Sequence, residues 1–196
     1  MGTKNGTPLL RENEVSTLSN SSGFDPLKVR KAFNAFVEEH PEGRVKLKAF
    51  RQMMTKTMSK KDACKMEKHI FRIYDTNKDG SIDFIEFMLI FQIMTYGTPE
   101  QVLEKIFRVF DVNSDGSITK KELTRLVKDM YGLIKAEDPD ALTPALIVKS
   151  VFSKMDADGD GKISQTEFIS ACLSPHKLCR MLALNIVNIF VPDIEE

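Results

Sequence analysis

The sequence lacks any excess of charge, because its lysines and arginines together number 28 and its aspartates and glutamates also number 28. Proteins that bind nucleic acids normally carry a basic face or a basic cluster. The lysines here are scattered among acidic residues, so the charge pattern argues against a nucleic-acid partner.

Long apolar runs and cysteines are also scarce. A membrane-spanning helix needs about twenty consecutive apolar residues, and every apolar stretch here is interrupted well before that length. No signal peptide is apparent at the N-terminus. The cysteines are odd in number and lack the pairing typical of a metal site: Cys64, Cys172 and Cys179. We therefore expect reduced thiols and a cytoplasmic protein.

Histidines are equally few, and the three present are dispersed: His40, His69 and His176. None belongs to a recognisable catalytic motif, and no nucleophile and base stand out as a pair. We therefore expect that the protein is not an enzyme. With 196 residues, 42% of them hydrophobic, the chain is long enough to bury a substantial core.

What the sequence does contain is a twelve-residue pattern that occurs three times. Each copy has side-chain oxygens at positions 1, 3, 5, 9 and 12, glycine at position 6 and isoleucine at position 8. Calcium takes six to eight oxygen ligands, and position 7 adds its backbone carbonyl. The pattern is that of an EF-hand calcium loop. The predicted ligands are Asp75, Asn77, Asp79, Ser81, Asp83 and Glu86; Asp111, Asn113, Asp115, Ser117, Thr119 and Glu122; and Asp156, Asp158, Asp160, Lys162, Ser164 and Glu167.

Two positions of the pattern have a strict chemical requirement. Position 6 makes a sharp turn that is cheap only without a Cβ, and Gly80, Gly116 and Gly161 stand there. The glutamate at position 12 lies on the outgoing helix and binds through both oxygens, so it couples ion occupancy to helix position.

Calcium is the expected cofactor, with magnesium as its competitor. Charge alone predicts higher calcium affinity for the loops from Asp75 and Asp156, because each has four carboxylates and the loop from Asp111 has three. The rigidity of each loop also affects its affinity.

A fourth copy has lost this chemistry. A step back from Gly80 by about the Gly80–Gly116 interval reaches Gly43, which aligns residues 38–49 with the loops. Val45 keeps the aliphatic position 8 and can pair with Ile82 in a short strand contact. Ala49 cannot bind an ion at position 12, Lys46 puts a cation at position 9, and Pro41 stiffens the entry of the loop. We expect this first loop to be metal-free and structural.

Helical patterns flank every loop, so the expected fold is all-α, with four EF-hands in two paired lobes, short β contacts between loops and a C-terminal helix. Asp25 and Pro26 can start the first helix. Residues 96–99, Tyr-Gly-Thr-Pro, mark the lobe boundary, and residues 136–144 are expected to form a linker. The predicted divisions are an N-terminal segment at 1–24, lobes at 25–96 and 97–174, and a tail at 175–196.

Phenylalanines and methionines are concentrated in the first lobe. They are either ordinary core or part of a surface that calcium exposes to a partner helix, because thioethers adapt to varied partners. The set is Phe33, Phe36, Phe50, Met53, Met54, Phe71, Phe87 and Phe91.

The tail has an apolar face of its own. This face either packs on the second lobe or lies in the target groove until a partner displaces it. Its members are Leu178, Met181, Leu182, Asn185, Ile186 and Ile189.

The degenerate first loop, the three complete loops, Gly2 and the helical tail resemble the neuronal calcium sensor family, which includes recoverin, visinin-like proteins and guanylate cyclase-activating proteins. The family usually has Cys-Pro where this chain has His40-Pro41. The resemblance implies a sensor that binds three calcium ions and regulates a target protein, a membrane-associated enzyme or channel, through a hydrophobic groove. A passive calcium buffer has the same loops and is the alternative.

Gly2 bears on membrane association. It is the acceptor residue for N-myristoylation, but the consensus has Ser or Thr at position 6, where this chain has Gly6 followed by Thr7. The acylated and the unmodified protein therefore both remain open. A single myristoyl chain would give only reversible association with membranes.

Overall fold

The computed structural model describes residues 2–4, 7–137 and 142–175, together with Ala183 and Ile186 of the tail. Within these ranges the chain is mostly helical, which confirms the expected all-α fold class. The helices are α1 Glu12–Ser22, α2 Pro26–Glu39, α3 Leu47–Met54, α4 Lys60–Tyr74, α5 Phe84–Tyr96, α6 Pro99–Phe110, α7 Lys120–Glu137, α8 Pro144–Met155 and α9 Gln165–Leu173. The strands are β1 Gly2–Lys4, β2 Thr7–Leu9, β3 Arg44–Lys46, β4 Ser81–Asp83, β5 Ser117–Thr119 and β6 Lys162–Ser164.

Short antiparallel strands join the loops in pairs. β3 pairs with β4 so that Val45 lies opposite Ile82, as the repeat alignment predicts, and β5 pairs with β6 so that Ile118 lies opposite Ile163. All four side chains are buried. Each pair therefore connects two helix–loop–helix units through the hydrophobic residue at position 8.

Several helices begin or end at the residues that local sequence signals predict. The side chain of Asp25 accepts a hydrogen bond from the Leu27 amide at 2.7 Å, and Pro26 opens α2. The 96–99 break ends α5 at Tyr96, and Thr98 caps α6. Helices take both ends of the expected linker at 136–144, because α7 continues to Glu137 and α8 begins at Pro144.

One helix lies where the sequence analysis predicts no element. The N-terminal segment contains α1, which packs against α2 and α5 and has Val15 and Leu18 buried; Leu10, just before α1, is buried as well. Its N-terminus has no side-chain cap of the usual kind; the Arg11 amide donates to Glu14 instead. Burial of its apolar face, more than local propensity, therefore stabilises this helix.

Helix α4 of the second unit packs against α6 and α7 of the third. The contact includes polar bonds: His69 Nε2 lies 2.9 Å from Asp129 Oδ2, and the Arg72 guanidinium donates to the Val109 carbonyl at 2.9 Å. Residues 25–96 and 97–174 thus share an interface in this structure.

Most of the phenylalanine and methionine set is core here. Five of its members are buried, and Met53, Phe87 and Phe91 are partly exposed. Ala183 and Ile186 of the tail are helical and buried. The other predicted members of the tail face, Leu178, Met181, Leu182, Asn185 and Ile189, lie outside the described residues. Among the described residues, no helix combines the length and the apolar character needed to cross a membrane.

Candidate calcium-binding loops

Each complete loop begins where an incoming helix ends. Asp75, Asp111 and Asp156 are the residues that follow α4, α6 and α8, and their amides still bond to the last helical turn. The glycine at position 6 then has positive φ: +82° at Gly80, +85° at Gly116 and +83° at Gly161. An added Cβ would meet no atom within 4 Å at these positions. The requirement for glycine is therefore one of backbone conformation and not of space.

The carboxylate at position 1 organises the turn. Asp75 accepts the Asp79 amide through Oδ1 and the Gly80 amide through Oδ2, both at 3.0 Å. Asp111 does the same for Asp115 and Gly116. In the last loop Gly161 donates to Asp156 Oδ2 at 3.1 Å, while Asp156 Oδ1 is buried without a hydrogen-bond partner.

The glutamate at position 12 closes each loop back on its start. Glu86 Oε1 accepts the amides of Thr76 and Asn77 at 3.1 and 3.2 Å. Its other oxygen accepts the Asp83 amide at 3.1 Å, and Asp83 in turn accepts the Glu86 amide. Position 9 is thus the N-cap of the outgoing helix, and position 12 completes a capping box. One side chain belongs both to the loop and to the first turn of α5.

The other two loops repeat this arrangement. Glu122 bonds to the amides of Val112 and Thr119. Glu167 bonds to the amides of Ala157 and Ser164.

Hydrogen bonds keep several of these carboxyl groups ionised. Donation from the Ser164 hydroxyl, and then from backbone amides, lowers the pKa of Glu167 to about 2. The Ser81 hydroxyl and then the Arg44 guanidinium lower the pKa of Asp79 to about 2. Bonds from Asn113 and Ser117 also lower the pKa of Asp115. These groups therefore stay negative at neutral pH, which is the state that binds a hard cation.

The donor set fits calcium. Carboxylate oxygens of Asp156, Asp158 and Glu167 lie within 4.8 Å of one another, and Asp156 Oδ1 has no hydrogen-bond partner in the protein. Like charges at such distances repel, so a cation among them would be stabilising. Hard oxygen donors of this kind suit calcium and magnesium and not softer metals.

Position 7 is the exception among the predicted side chains. The Ser81 hydroxyl donates to Asp79 Oδ1 at 2.7 Å and the Ser117 hydroxyl donates to Asp115 Oδ1 at 2.8 Å, while Lys162 is exposed. Their side chains support the loop or face solvent, so any contribution to an ion would come from the backbone carbonyl.

The first loop keeps the shape but not the acid chemistry. Gly43 has φ +67°, yet Lys46 stands at the N-cap of α3 without a capping bond, and Ala49 has no carboxylate to close the loop. Lys46 pairs with Glu42 at 3.0 Å.

One contact between the first and second loops is not predicted from the sequence. Arg44 reaches out of it and donates to Asp79 Oδ2 of the second loop at 2.6 Å. The strand register, with Arg44 opposite Asp83, is the signal that could have found this contact.

An apolar pocket of ≈ 280 Å³ lies between α2 and α5. It adjoins the partly exposed part of the phenylalanine set. Its lining residues are Phe24, Lys28, Val29, Ala32, Phe87, Met88 and Phe91.

Comparison with known families supports the loop assignment. A model described as "EF-hand domain pair" matches residues 100–173, and one described as "EF-hand domain" matches residues 67–97. The three complete loops fall within these two ranges. EF-hand domains indicate calcium binding.

Curated proteins give similar results over longer stretches. The chain is 34% identical to the calcium-binding protein NCSA of Dictyostelium discoideum over 68% of this chain and 70% of that protein. It is 28% identical to guanylyl cyclase-activating protein 2 of Lithobates pipiens over 88% and 90%. It is 26% identical to recoverin of Homo sapiens over 76% and 78%.

Proposed function

This chain belongs to the neuronal calcium sensor family of EF-hand proteins, and we propose that it is a calcium-switched regulator of a target protein, a membrane-associated enzyme or channel. The name of one relative, guanylyl cyclase-activating protein 2, supports an enzyme as the kind of target. The alternative is a passive calcium buffer, which would bind the ion without exposing a new surface.

We propose three ion sites, in the loops that start at Asp75, Asp111 and Asp156, and none in the first loop. The supporting observation is that position 12 is a glutamate bonded back to its loop in all three, whereas the first loop has Ala49 there. Calcium, when bound, supplies a divalent charge that the carboxylates of each loop share.

Glu86 is the residue on which the switch depends. It is the last position of the second loop and also part of the first turn of α5, so a change in its bonding acts on that helix directly. The next residue, Phe87, stacks on Tyr74 with ring centroids 5.8 Å apart, and Tyr74 immediately precedes Asp75. Both ends of the loop are therefore linked through one aromatic contact.

Movement of α5 relative to α4 would break this contact, and movement of α5 away from α2 would enlarge the apolar pocket. Phe87 and Phe91 stack on each other and line that pocket, and both are only partly buried. The apolar face of a partner helix could then lie in the opened groove, anchored at residues three or four apart. The side of the first lobe formed by α2 and α5 is the proposed target surface.

Calcium-dependent exposure of apolar surface separates a sensor from a buffer. We expect the fluorescence of a hydrophobic dye to rise when calcium is added to the full chain. Glu86→Gln should suppress this rise more than Glu167→Gln, because only Glu86 lies in the first lobe. Glutamine retains the capping function at this position, so the two variants are matched.

Equal suppression by the two variants would contradict a groove in the first lobe. Absence of any calcium-dependent rise in the wild-type protein would favour the buffer.

A further inference from the structure

The loops from Asp75 and Asp111 are nearly identical in structure around position 5. In both, one carboxylate oxygen accepts the amide and the hydroxyl of the serine at position 7, and the other accepts the amide group of the asparagine at position 3. The partners of Asp79 and Asp115 are therefore the same, with one addition in the second loop.

That addition is the Arg44 guanidinium. Its Nη1 donates to Asp79 Oδ2 at 2.6 Å and to the Ser81 hydroxyl at 2.8 Å. Both oxygens of Asp79 already accept bonds within the loop, as those of Asp115 do, and Arg44 adds a charged donor to Oδ2 of Asp79. Position 5 is a predicted ion ligand, so any contribution of Asp79 to an ion would have to be made in competition with these donors.

Arg44 also faces the other acids of the second loop. The hydrogen bond to Asp79, and then the negative charges of Asp79, Asp83 and Glu86, raise the pKa of its guanidinium, which is cationic at neutral pH. The antiparallel register places Arg44 directly opposite Asp83. A loop with four carboxylates thus has a fixed positive charge beside it.

The second lobe provides an internal comparison. Lys162 stands at position 7 of the last loop, opposite Thr119 of the third, just as Arg44 stands at position 7 of the first loop opposite Asp83 of the second. Lys162 is exposed and acts on Asp115 only as a nearby charge, without an ion pair among the described contacts. The direct contact is thus found in the first lobe and not at the equivalent place in the second.

We propose that Arg44 of the first loop is an internal counter-ion of the second loop, which weakens calcium binding at the Asp75 site by holding Asp79. The first loop thereby keeps a role in ion binding although it has no acidic ligand set of its own. The carboxylate count of four overstates the effective charge of the second loop, so its affinity resembles that of the three-carboxylate loop from Asp111. This inference rests on the proposed calcium site at Asp75.

A titration that resolves each site tests the proposal in the full chain. The amides of Gly80, Gly116 and Gly161 each donate to the first carboxylate of their own loop, so their ¹H–¹⁵N resonances report the three loops separately. The calcium midpoint of a resonance is the calcium concentration at which its shift is half complete. For Arg44→Gln we expect the calcium midpoint of the Gly80 resonance to fall about two- to fivefold, the range typical of a partly exposed ion pair. The midpoints of Gly116 and Gly161 should not change. The shift should be larger at low ionic strength.

Two control variants distinguish the direct contact of Arg44 with Asp79 from a general effect of positive charge on the strand. Lys46→Gln removes one positive charge from the same strand, but Lys46 pairs with Glu42 and not with the second loop. Its Gly80 midpoint should stay at the wild-type value. Arg44→Lys keeps the charge without the planar fork, so its midpoint should lie between those of the wild type and Arg44→Gln.

The possible outcomes are distinguishable. An unchanged or raised Gly80 midpoint in Arg44→Gln, or an equal shift in Lys46→Gln, overturns the proposal and leaves three-site calcium binding standing. If Gly80 in the wild-type protein does not respond to calcium at all, the site at Asp75 fails, and the role of Arg44 fails with it.

Discussion

At the scale of single residues, the glutamate at position 12 has two separable functions. Glu86, Glu122 and Glu167 each accept backbone amides at the start of their loop and at the N-cap of the outgoing helix. A glutamine can keep the capping-box bond through its one carbonyl oxygen, but its NH2 group cannot accept the amides at the start of the loop, and the charge and the bidentate carboxylate are lost. Substitution by glutamine therefore tests ion binding while the cap of the outgoing helix is kept.

We predict that Glu86→Gln, Glu122→Gln and Glu167→Gln each reduce the number of bound calcium ions from three to two. The reason is that calcium prefers a bidentate carboxylate at this position. Titration calorimetry on the full chain measures the number of ions directly. Glu42→Gln in the first loop is the control and should leave the number at three. A fourth ion that is lost on changing Glu38 or Glu42 would show that the first loop binds calcium.

At the scale of secondary-structure elements, α1 shows how packing decides a helix that local sequence leaves open. Its residues are largely polar, and its N-terminus lacks a strong cap. Leu18 is only 1% exposed, because α1 lies against α2 and α5. These two helices also line the apolar pocket, so α1 supports the walls of the proposed target surface.

We predict that Leu18→Ala lowers the free energy of unfolding by about 2–5 kcal/mol, as for other buried leucines replaced by alanine. The loss combines the transfer free energy of the side chain with the cavity that remains. Urea unfolding of the calcium-free protein measures the change. Leu27→Ala is a suitable control, because Leu27 is 68% exposed and its loss should cost less than about 0.5 kcal/mol. Similar effects of the two substitutions would show that α1 is not packed as described.

At the scale of the whole molecule, the contact between α4 and the helices α6 and α7 joins the second and third hands. His69 is buried in this contact and bonds to Asp129. Burial lowers the pKa of His69, with Asp129 acting in the opposite direction and the charges of Arg72 and Arg125 adding to the decrease. The imidazole is therefore neutral in the folded protein at neutral pH.

We predict that the calcium-free protein loses stability as the pH falls below about 6.5. The unfolded state protonates His69 near its ordinary pKa of 6.5, whereas the folded state resists protonation, so the unfolded state binds more protons in this range. The loss continues until the pH reaches the lowered pKa of the folded state. Thermal melting between pH 7 and pH 5 measures the effect.

His69→Gln is the control for this pH dependence, and its melting temperature should depend less on pH over the same range. Asp79 and Glu167, with pKa values of about 2, do not titrate there. Equal pH dependence in the two proteins would contradict the role of His69.

Association of the whole molecule with membranes can be tested at Gly2, the acceptor residue for N-myristoylation. We predict that co-expression with a myristoyl transferase adds one acyl chain, and that Gly2→Ala abolishes both the added mass and binding to lipid vesicles. Mass spectrometry and vesicle sedimentation measure these two outcomes. An unmodified wild-type chain would contradict the acylation, and the calcium sites would be unaffected by that result.

The sequence by itself determined the loops, the pairing of Val45 with Ile82 and several helix ends. These features follow from short-range requirements: oxygens at fixed spacing around an ion, a glycine at positive φ, and caps within one helical turn. Each can be recognised because the residues that satisfy the requirement lie within a dozen positions of one another or recur at the repeat interval.

Only the tertiary structure decided which partners distant residues meet. The packing of α1, the bond from Arg44 to Asp79 and the contact of His69 with Asp129 join residues that no local motif relates. The burial of most of the phenylalanine and methionine set was likewise undecided, because core and groove residues have the same composition and periodicity. Such contacts depend on how helices cross in space, and helical periodicity specifies that a face is apolar without specifying what covers it.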